Sequence, residues 1–529
     1  MMSRNHVYFF VLVFVLMGVF GLAFRVQRVE AQPVIYYIRA DGSIEPFTTF
    51  IFSADNITYT FTNNITGSIL VQRSNIMIDG SGYTLQGYGG LYNENGFDLF
   101  NVNNVTIKDT IVESFYWGFL LNSTAHIVLS GNNITKNQQD GIVSLVSSNN
   151  IILGNNITNN SLHGIRLDGS LNNSIVGNNI TNNNMPGIWL NGSSNNIVVG
   201  NNIAYNLWRG ILLDGSLNNS IVGNNITNNE YGILLQNSSN NIIEGNNIAN
   251  NPYGIRVHTS SNSNSIVGNN IANNILYGIL LFYSSNNIVS GNNIANNSID
   301  GICLRTSSNS NSIVGNNIAN NGYGINLYSS DNLFYHNNFL NNTVQVYLTP
   351  GYANVWDDGY PSCGNYWSNY TGVDSNHDGI GDTAYIIAEN NTDNFPLMGM
   401  FHSFNAFLGY DVYVISNSTI ESFEYFESNS TIRMHVSNSS ATQTYGFCRV
   451  CIPHDLMTEP YNVTINGKTP TYWNYTIYDN GTHRWIYFAY EHSTLEILIV
   501  PEFPSFLILP LFMIATLLAV IVHGRKHTM

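Results

Sequence analysis

The tetrad Gly-Asn-Asn-Ile opens at Gly131, Gly154, Gly177, Gly200, Gly223, Gly245, Gly268, Gly291 and Gly315, in steps of 22 to 24 residues. A degenerate copy, His336-Asn337-Asn338-Phe339, follows 21 residues later. A second marker, Gly-Ile, recurs between the tetrads at Gly141, Gly164, Gly187, Gly210, Gly232, Gly254, Gly278, Gly301 and Gly324. A unit near 23 residues fits a leucine-rich repeat or a solenoid made only of strands. The leucine-rich consensus is absent, and each unit holds only short alternating runs separated by Asn, Ser and Gly, which are poor helix formers. This leaves an all-β fold, a right-handed parallel β-helix over 70–348 with three short strands per coil. Ile and Leu at alternate positions point inward and stack about 4.8 Å apart on the next coil. Asn and Gly take the corners, where left-handed backbone is tolerated, and aligned Asn side chains can ladder from coil to coil. One coil cannot bury its own face, so the ends need caps, read at 32–69 and 349–401.

Asn fills about one position in six, and only 9% of residues are charged. With 17 Lys and Arg against 33 Asp and Glu, the chain lacks the basic stripe that nucleic-acid binding requires. Hydrophobic residues make up 44%, enough for a core, and four cysteines are too few for a disulfide scaffold.

The ends read as export and anchoring signals. Residues 7–24 are uncharged and apolar behind Arg4, and Val29 and Ala31 place small residues before a cleavage point at Gln32. This gives a secretory signal over 1–31, with an uncleaved anchor as the alternative. Residues 503–522 are long enough to span a bilayer ahead of Arg525 and Lys526, so 501–529 reads as a single-pass anchor with the rest of the chain outside. Pro501-Glu502-Phe503-Pro504, together with the apolar span and basic tail, resembles the PEF-type sorting signal of archaeal surface proteins. Sequons at Asn417, Asn429, Asn438, Asn462, Asn474 and Asn480 fit a glycosylated exterior. Alternating runs over 402–500, with turn signals at Asn466-Gly467 and Asn480-Gly481, predict a β-sandwich.

Chemistry has to be sought on the outside of the coils. If Ile and Leu of Gly-Ile-x-Leu point inward, the residues one before, two after and four after the glycine face out. His163, Arg166, Asp168, Trp189, Arg209 and Asp214 then form one patch. Tyr253, Arg256, His258, Tyr277, Phe282 and Arg305 form a second, aromatic one. Rings stack on apolar sugar faces and charged groups bond hydroxyls or uronates, so a polysaccharide is the expected partner. The alternative within this reading is a solvated face that only keeps the rod soluble. Asp168 and Asp214 share a column two coils apart, about 9.6 Å, near the upper limit for an inverting hydrolase. No carboxylate there has an evident cause for a raised pKa, and no Lys is present between 137 and 467 to act as a lyase base. A surface module that binds polysaccharide, or serves as a structural or adhesive surface protein, is therefore expected over hydrolase or lyase activity.

Ser74-Asn-Ile-Met-Ile-Asp-Gly-Ser-Gly-Tyr-Thr-Leu-Gln-Gly87 and the Gly-Asn-Asn-Ile/Gly-Ile coils resemble NosD-like β-helix proteins with carbohydrate-binding and sugar-hydrolysis repeats. Gly364-Asn-Tyr-Trp-Ser-Asn-Tyr370 resembles the closing segment of archaeal members. The resemblance implies this fold, an extracytoplasmic setting and, as a further alternative, an association with copper. Copper sites gather His, Met and Cys, whereas His126, His163, His258 and His336 stand on scattered columns. Cys448 and Cys451 lie three apart on a strand, so they face opposite sides.

Asp374-Ser-Asn-His-Asp-Gly-Ile-Gly-Asp382 has the spacing of a calcium loop. Oxygen ligands would come from Asp374, Asn376, Asp378 and Asp382, the Ile380 carbonyl would add another, and Gly379 supplies the turn. Tyr385 stands where an EF-hand has its bidentate Glu, so water or Asp393 would complete the shell. The competing reading is a turn whose side chains bond its own backbone.

Overall fold

The computed structural model describes residues 33–501 apart from 90–93 and 492, together with Thr516 and Leu518. The signal read at 1–31, and all but those two residues of the span read at 503–522, lie outside them. Among the described residues no helix is long and apolar enough to cross a membrane.

Residues 35–367 wind into three long, mainly parallel sheets. One coil shows the plan. The Gly-Ile-x-Leu run gives Ile165–Asp168 in the first sheet, the Asn-x-Ile-x run gives Ser174–Val176 in the second, and the tetrad gives Asn179–Thr181 in the third. Each residue pairs with its equivalent in the next coil, as in Ile165↔Ile188, Ile175↔Val198 and Ile180↔Ile203. The first sheet has fourteen parallel strands, from Ile35–Ile38 to Val344–Leu348, which at about 4.8 Å per strand makes a rod roughly 60 Å long. Pairing therefore begins within the segment read as the amino-terminal cap. There, Ile44–Glu45 and Ile51–Phe52 pair antiparallel with Ile35–Ile38 and Thr58–Phe61, covering two open sheet edges. At the other end Phe334 and Phe339 replace the inward Ile, and Trp356 and Trp367 stack on them at 4.4 and 4.2 Å.

Ile165, Leu167, Ile175 and Ile180 are fully buried, and the same positions are filled along the rod. Each such side chain contributes about 1.5–3 kcal/mol by leaving water. Between these apolar rows run three buried Asn ladders, through Asn132, Asn155 and Asn178; Asn137, Asn160 and Asn183; and Asn150, Asn173 and Asn196. The geometry repeats: Asn178 Nδ2 donates to Asn201 Oδ1 and to the Ile152 carbonyl, both at 2.9 Å, and the Asn178 N–H donates to the same Oδ1 at 2.9 Å. A Ser ladder through Ser170, Ser193 and Ser216 receives backbone N–H groups in the same way.

The corner expectation divides in two. Left-handed Asn such as Asn159, Asn172 and Asn182 are distinct from the ladder Asn, which lie buried and outside the left-handed region. The glycines divide likewise. Gly154 needs its φ of +62°, and a Cβ there would meet nothing. Gly164 has no such φ; a Cβ there would stand 2.6 Å from both the Gly187 carbonyl oxygen and Ile180 Cγ2.

Residues 400–501 form two antiparallel sheets packed face to face. The five-stranded sheet contains Met400–Phe407, Tyr410–Ser416, Tyr445–Pro453, His483–Glu491 and Tyr472–Asp479. The four-stranded sheet contains Thr419–Phe426, Thr431–Ser437, Leu495–Pro501 and Tyr461–Ile465. Asn480-Gly481 joins a hairpin, but Asn466-Gly467 is a tight turn whose flanking strands go to different sheets. Phe401, Ile415, Phe447 and Tyr487 pack on Cys363, Ile380 and Leu397 at the end of the rod. Buried Arg449 ties the junction by donating to the Asp378 and Pro361 carbonyls at 2.6 and 2.8 Å.

Candidate functional site: the outer face of the first sheet

The outward columns are less open than their alternation predicts. Asp140, Asp300 and Cys303 are fully buried, and His163, Leu212, Leu234, Leu280 and Asn326 are nearly so. The reason is spacing. Side chains about 4.8 Å apart lie along the rod, and the long ones cover the short ones in adjacent coils.

His163, Arg166, Asp168 and Trp189 are brought together, and Asp140 and Trp117 join them. His163 Nδ1 lies 2.6 Å from Asp140 Oδ1, and its ring packs 4.9 Å from Trp189. Arg166 stands 3.7 Å from both Asp140 and Asp168 and lies over Trp117 and Trp189 at 5.9 and 6.0 Å. Asn191 donates to Asp168. The result is a chain of paired charges, with an imidazole held by a buried carboxylate beneath an indole.

Arg209 falls in the second group. Tyr231, Tyr253 and Tyr277 stack in sequence at 4.5 and 5.6 Å with interplanar angles of 11° and 22°, so their faces cover one another. Arg209 and Arg256 both lie 5.7 Å from the Tyr231 ring, and Arg305 lies 5.7 Å from Tyr277. Burial lowers the Arg209 pKa, with Tyr231, Glu230 and Asp214 opposing that shift through space. His258 packs against Phe282 and contacts the Thr259 hydroxyl; burial and then Arg256 push its pKa down.

Asp214 is two register steps from Asp168, with Asn191 between them, which is the separation of about 9.6 Å expected from the sequence. Carboxyl groups with a cause for a raised pKa do exist on this face, at Asp98 and Asp300: burial raises both, Asp98 Oδ2 accepts from Asn95 at 3.1 Å and Asp300 Oδ2 from Asn326 at 3.0 Å. Tyr231, Asp140 and Trp117 were detectable only by reading each column across neighbouring coils. Trp117 is further masked because Gly118-Phe119 replaces the usual Gly-Ile.

The carboxyl-terminal loop uses its side chains on itself. Asp374 accepts from the Asp378 and Gly379 N–H groups at 3.0 and 2.8 Å, Asp382 from Ser375 at 2.9 Å, and Asp378 from Ile380 at 3.0 Å. Asn376 lies beside Asp378, whose pKa burial raises, and Ile380 is buried in the junction with the sandwich. Asp393 does not complete this loop. It ends the first Asn ladder, accepting from the Asn365 N–H and Trp367 Nε1, both at 2.8 Å, because its carboxylate takes the place of the next Asn amide. Gln345 and Asn391 end the other two ladders.

A family model described as periplasmic copper-binding protein (NosD) matches residues 209–372. A second, right handed beta helix region, matches 49–204 and 117–271. No curated protein sequence matches significantly. Among solved structures, the A-module of a mannuronan C-5 epimerase from Azotobacter vinelandii is 18% identical, covering 56% of this chain and 78% of its own, with TM-score 0.40. A periplasmic alginate epimerase is 16% identical, covering 60% and 83%, TM-score 0.34. The Dettilon tailspike protein is 16% identical, covering 82% and 87%, TM-score 0.37. Copper does not fit the residues present. Within 209–372 there is no Met, His336 is committed to the Ser362 carbonyl, and burial pushes the Cys303 and Cys363 thiols up to about 12. Among the described residues no group of three His, Cys, Asp or Glu side chains is placed to hold a metal. Fold, repeats and family models agree: the chain is a NosD-like right-handed parallel β-helix protein.

Proposed function

We propose that this protein binds an extended polysaccharide along the outer face of its first sheet, and that it does so outside the cell. The supporting observation is the contrast between the three faces. The third sheet presents an exposed Asn ladder beside small Thr and Ala residues, and the second presents Ile and Ser. The first alone carries a run of indoles, phenols and guanidinium groups, from Trp117 to Arg305. Such a surface is long and shallow, which matches a polymer better than a small molecule. A cavity of about 240 Å³ near His336, Tyr413, Arg449 and Trp485 lies at the junction with the sandwich, and one of about 490 Å³ lies at the end of the rod by Asn342, Val344 and Tyr385, beyond the aromatic run. Display on the membrane through residues 503–522 is part of this proposal, and protease treatment of intact cells should release the ectodomain.

Hydrolysis is the competing activity. It needs one protonated and one ionised carboxyl flanking the bond, and Asp168 is engaged by Asn191 and Arg166 while Asp214 stands two coils away. Incubation of the full-length protein with neutral and acidic polysaccharides tests the reading. Binding without shortening of the polymer, weakened at least several-fold by Trp189→Ala, is expected. Shortening that disappears in Asp168→Ala or Asp214→Ala would replace binding with hydrolysis.

A further inference from the structure

Between residues 137 and 432 the chain has only four Lys or Arg: Arg166, Arg209, Arg256 and Arg305. All four project from the outer side of the first sheet, in the coils marked by Gly164, Gly210, Gly254 and Gly301, which is every second coil. Arg166 is paired with Asp140 and Asp168. The other three have no ion-pair partner among the described residues, in a protein of net charge −16.

Two of them repeat one arrangement. Arg256 donates to the Tyr231 hydroxyl at 3.3 Å, and Arg305 donates to the Tyr277 hydroxyl at 3.0 Å. Each guanidinium reaches back to the tyrosine of the preceding coil, and the two pairs stand two coils apart, about 9.6 Å. Because each phenol oxygen accepts from Arg, its own O–H is directed elsewhere, so the pair presents donors and a positive charge. The Nε atoms of Arg209, Arg256 and Arg305 are buried without an acceptor, so each head group is held by packing and offers its outer N–H groups. Neutral hydroxyls do not call for three half-buried cations without ion-pair partners on one face. Acid groups do, since charge-assisted bonds to carboxylate or sulfate are roughly twice as strong as neutral ones.

Building on the polysaccharide reading, we infer that the ligand is a polyanion whose acid groups recur every two coils, an extended glycan with one carboxylate or sulfate on every second sugar. Full-length protein should be titrated calorimetrically with hyaluronan (a carboxylate on alternate sugars), keratan sulfate (sulfate as the acid group), carboxyl-reduced hyaluronan and a neutral β-glucan. Binding is expected to one or both charged polymers, which distinguishes carboxylate from sulfate, and it should weaken as salt is raised. Arg256→Gln and Arg305→Gln should each lower the affinity at least about tenfold, with Arg256→Lys retaining part of it and melting temperatures unchanged. Equal binding of the reduced or neutral polymers with sensitivity to Trp189→Ala would overturn the polyanion while leaving polysaccharide binding standing. Binding of none of the four would overturn both.

Discussion

Asn201 and Asn202 are neighbours in one tetrad, yet the structure gives them opposite weights. Asn201 is buried: its Nδ2 donates to the Ile175 and Val199 carbonyls at 2.9 and 3.1 Å and to Asn224 Oδ1 at 2.9 Å. Its Oδ1 accepts both the N–H and the side-chain amide of Asn178 at 2.9 Å. Asn201→Ala leaves the Asn178 N–H buried without an acceptor, removes a donor from two carbonyls and opens a gap in the ladder. One orphaned group and a partly relaxed cavity together cost about 2–4 kcal/mol. Asn202 is exposed and its amide bonds only its neighbours in the outer ladder, at 2.7 Å to Asn179. Asn202→Ala should therefore stay within about 0.5 kcal/mol. Urea unfolding of the two variants, followed by far-UV circular dichroism and by tryptophan fluorescence, measures the difference. Coincident transitions are needed first, because repeat proteins can unfold in segments. Equal midpoint shifts for Ala at 201 and 202 would refute the claim that buried amide ladders, rather than apolar stacking alone, hold the coils in register.

Gly164→Ala should destabilise more than Gly154→Ala in the same assay. The former drives a Cβ against the Gly187 carbonyl and Ile180, and the latter costs only the left-handed penalty of about 1–2 kcal/mol. Burial pushes the Asp393 carboxyl up to about 7, against the pull of N–H donors from Asn365, Trp367 and Phe395. A carboxyl raised in the folded state contributes stability that is complete below its unfolded pKa and is lost as pH rises through the folded value. Melting temperatures should thus fall from about pH 4 towards pH 7, and Asp393→Asn should flatten that part of the profile. The loop from Asp374 to Asp382 is proposed as a weak calcium site that forms only when the loop rearranges, since Asp374, Asp378 and Asp382 are not grouped to hold a metal as they stand. Its carboxylates would have to be shared with the N–H groups they now accept from, so affinity should be no tighter than about 10⁻⁴–10⁻³ M, and the calorimetric signal should vanish in Asp378→Ala.

The period, the strand content and the inward Ile were legible because every coil makes the same contacts, so a local pattern carries the whole fold. The buried Asn ladders were legible only as an option. Asn is ordinarily an exposed residue, and nothing in Gly-Asn-Asn-Ile says that the first Asn faces inward and the second outward. That choice is made by the turn at the glycine and confirmed by the backbone N–H that each first Asn receives. The site was less legible still. Its members were identified column by column, but whether one is open depends on the size of its neighbours a coil away. Asp140 is closed off under Arg166 and His163, whereas Tyr231 gathers guanidinium groups from the coils on either side.

A longer period runs beneath the one-coil repeat. In the second sheet the first strand position alternates through Ile151, Ser174, Ile197, Ser220, Ile242, Ser265, Ile288 and Ser312. The Ser-bearing coils are the same ones that carry Arg166, Arg209, Arg256 and Arg305 on the first sheet. The Asn ladders recur in every coil and do not set this alternation, whereas the inward second-sheet row follows it in part, with Ile in every Ser-bearing coil and Val198 and Val289 in two of the Ile-bearing coils. Two outer faces sharing a two-coil phase therefore record a constraint, or an ancestral unit, that acts on pairs of coils. On the first sheet that phase sets the Arg-bearing coils, and the Arg256–Tyr231 and Arg305–Tyr277 pairs, about 9.6 Å apart along the rod. The interior sets how the rod is built, and the outer side chains set the interval at which it can meet a repeating ligand.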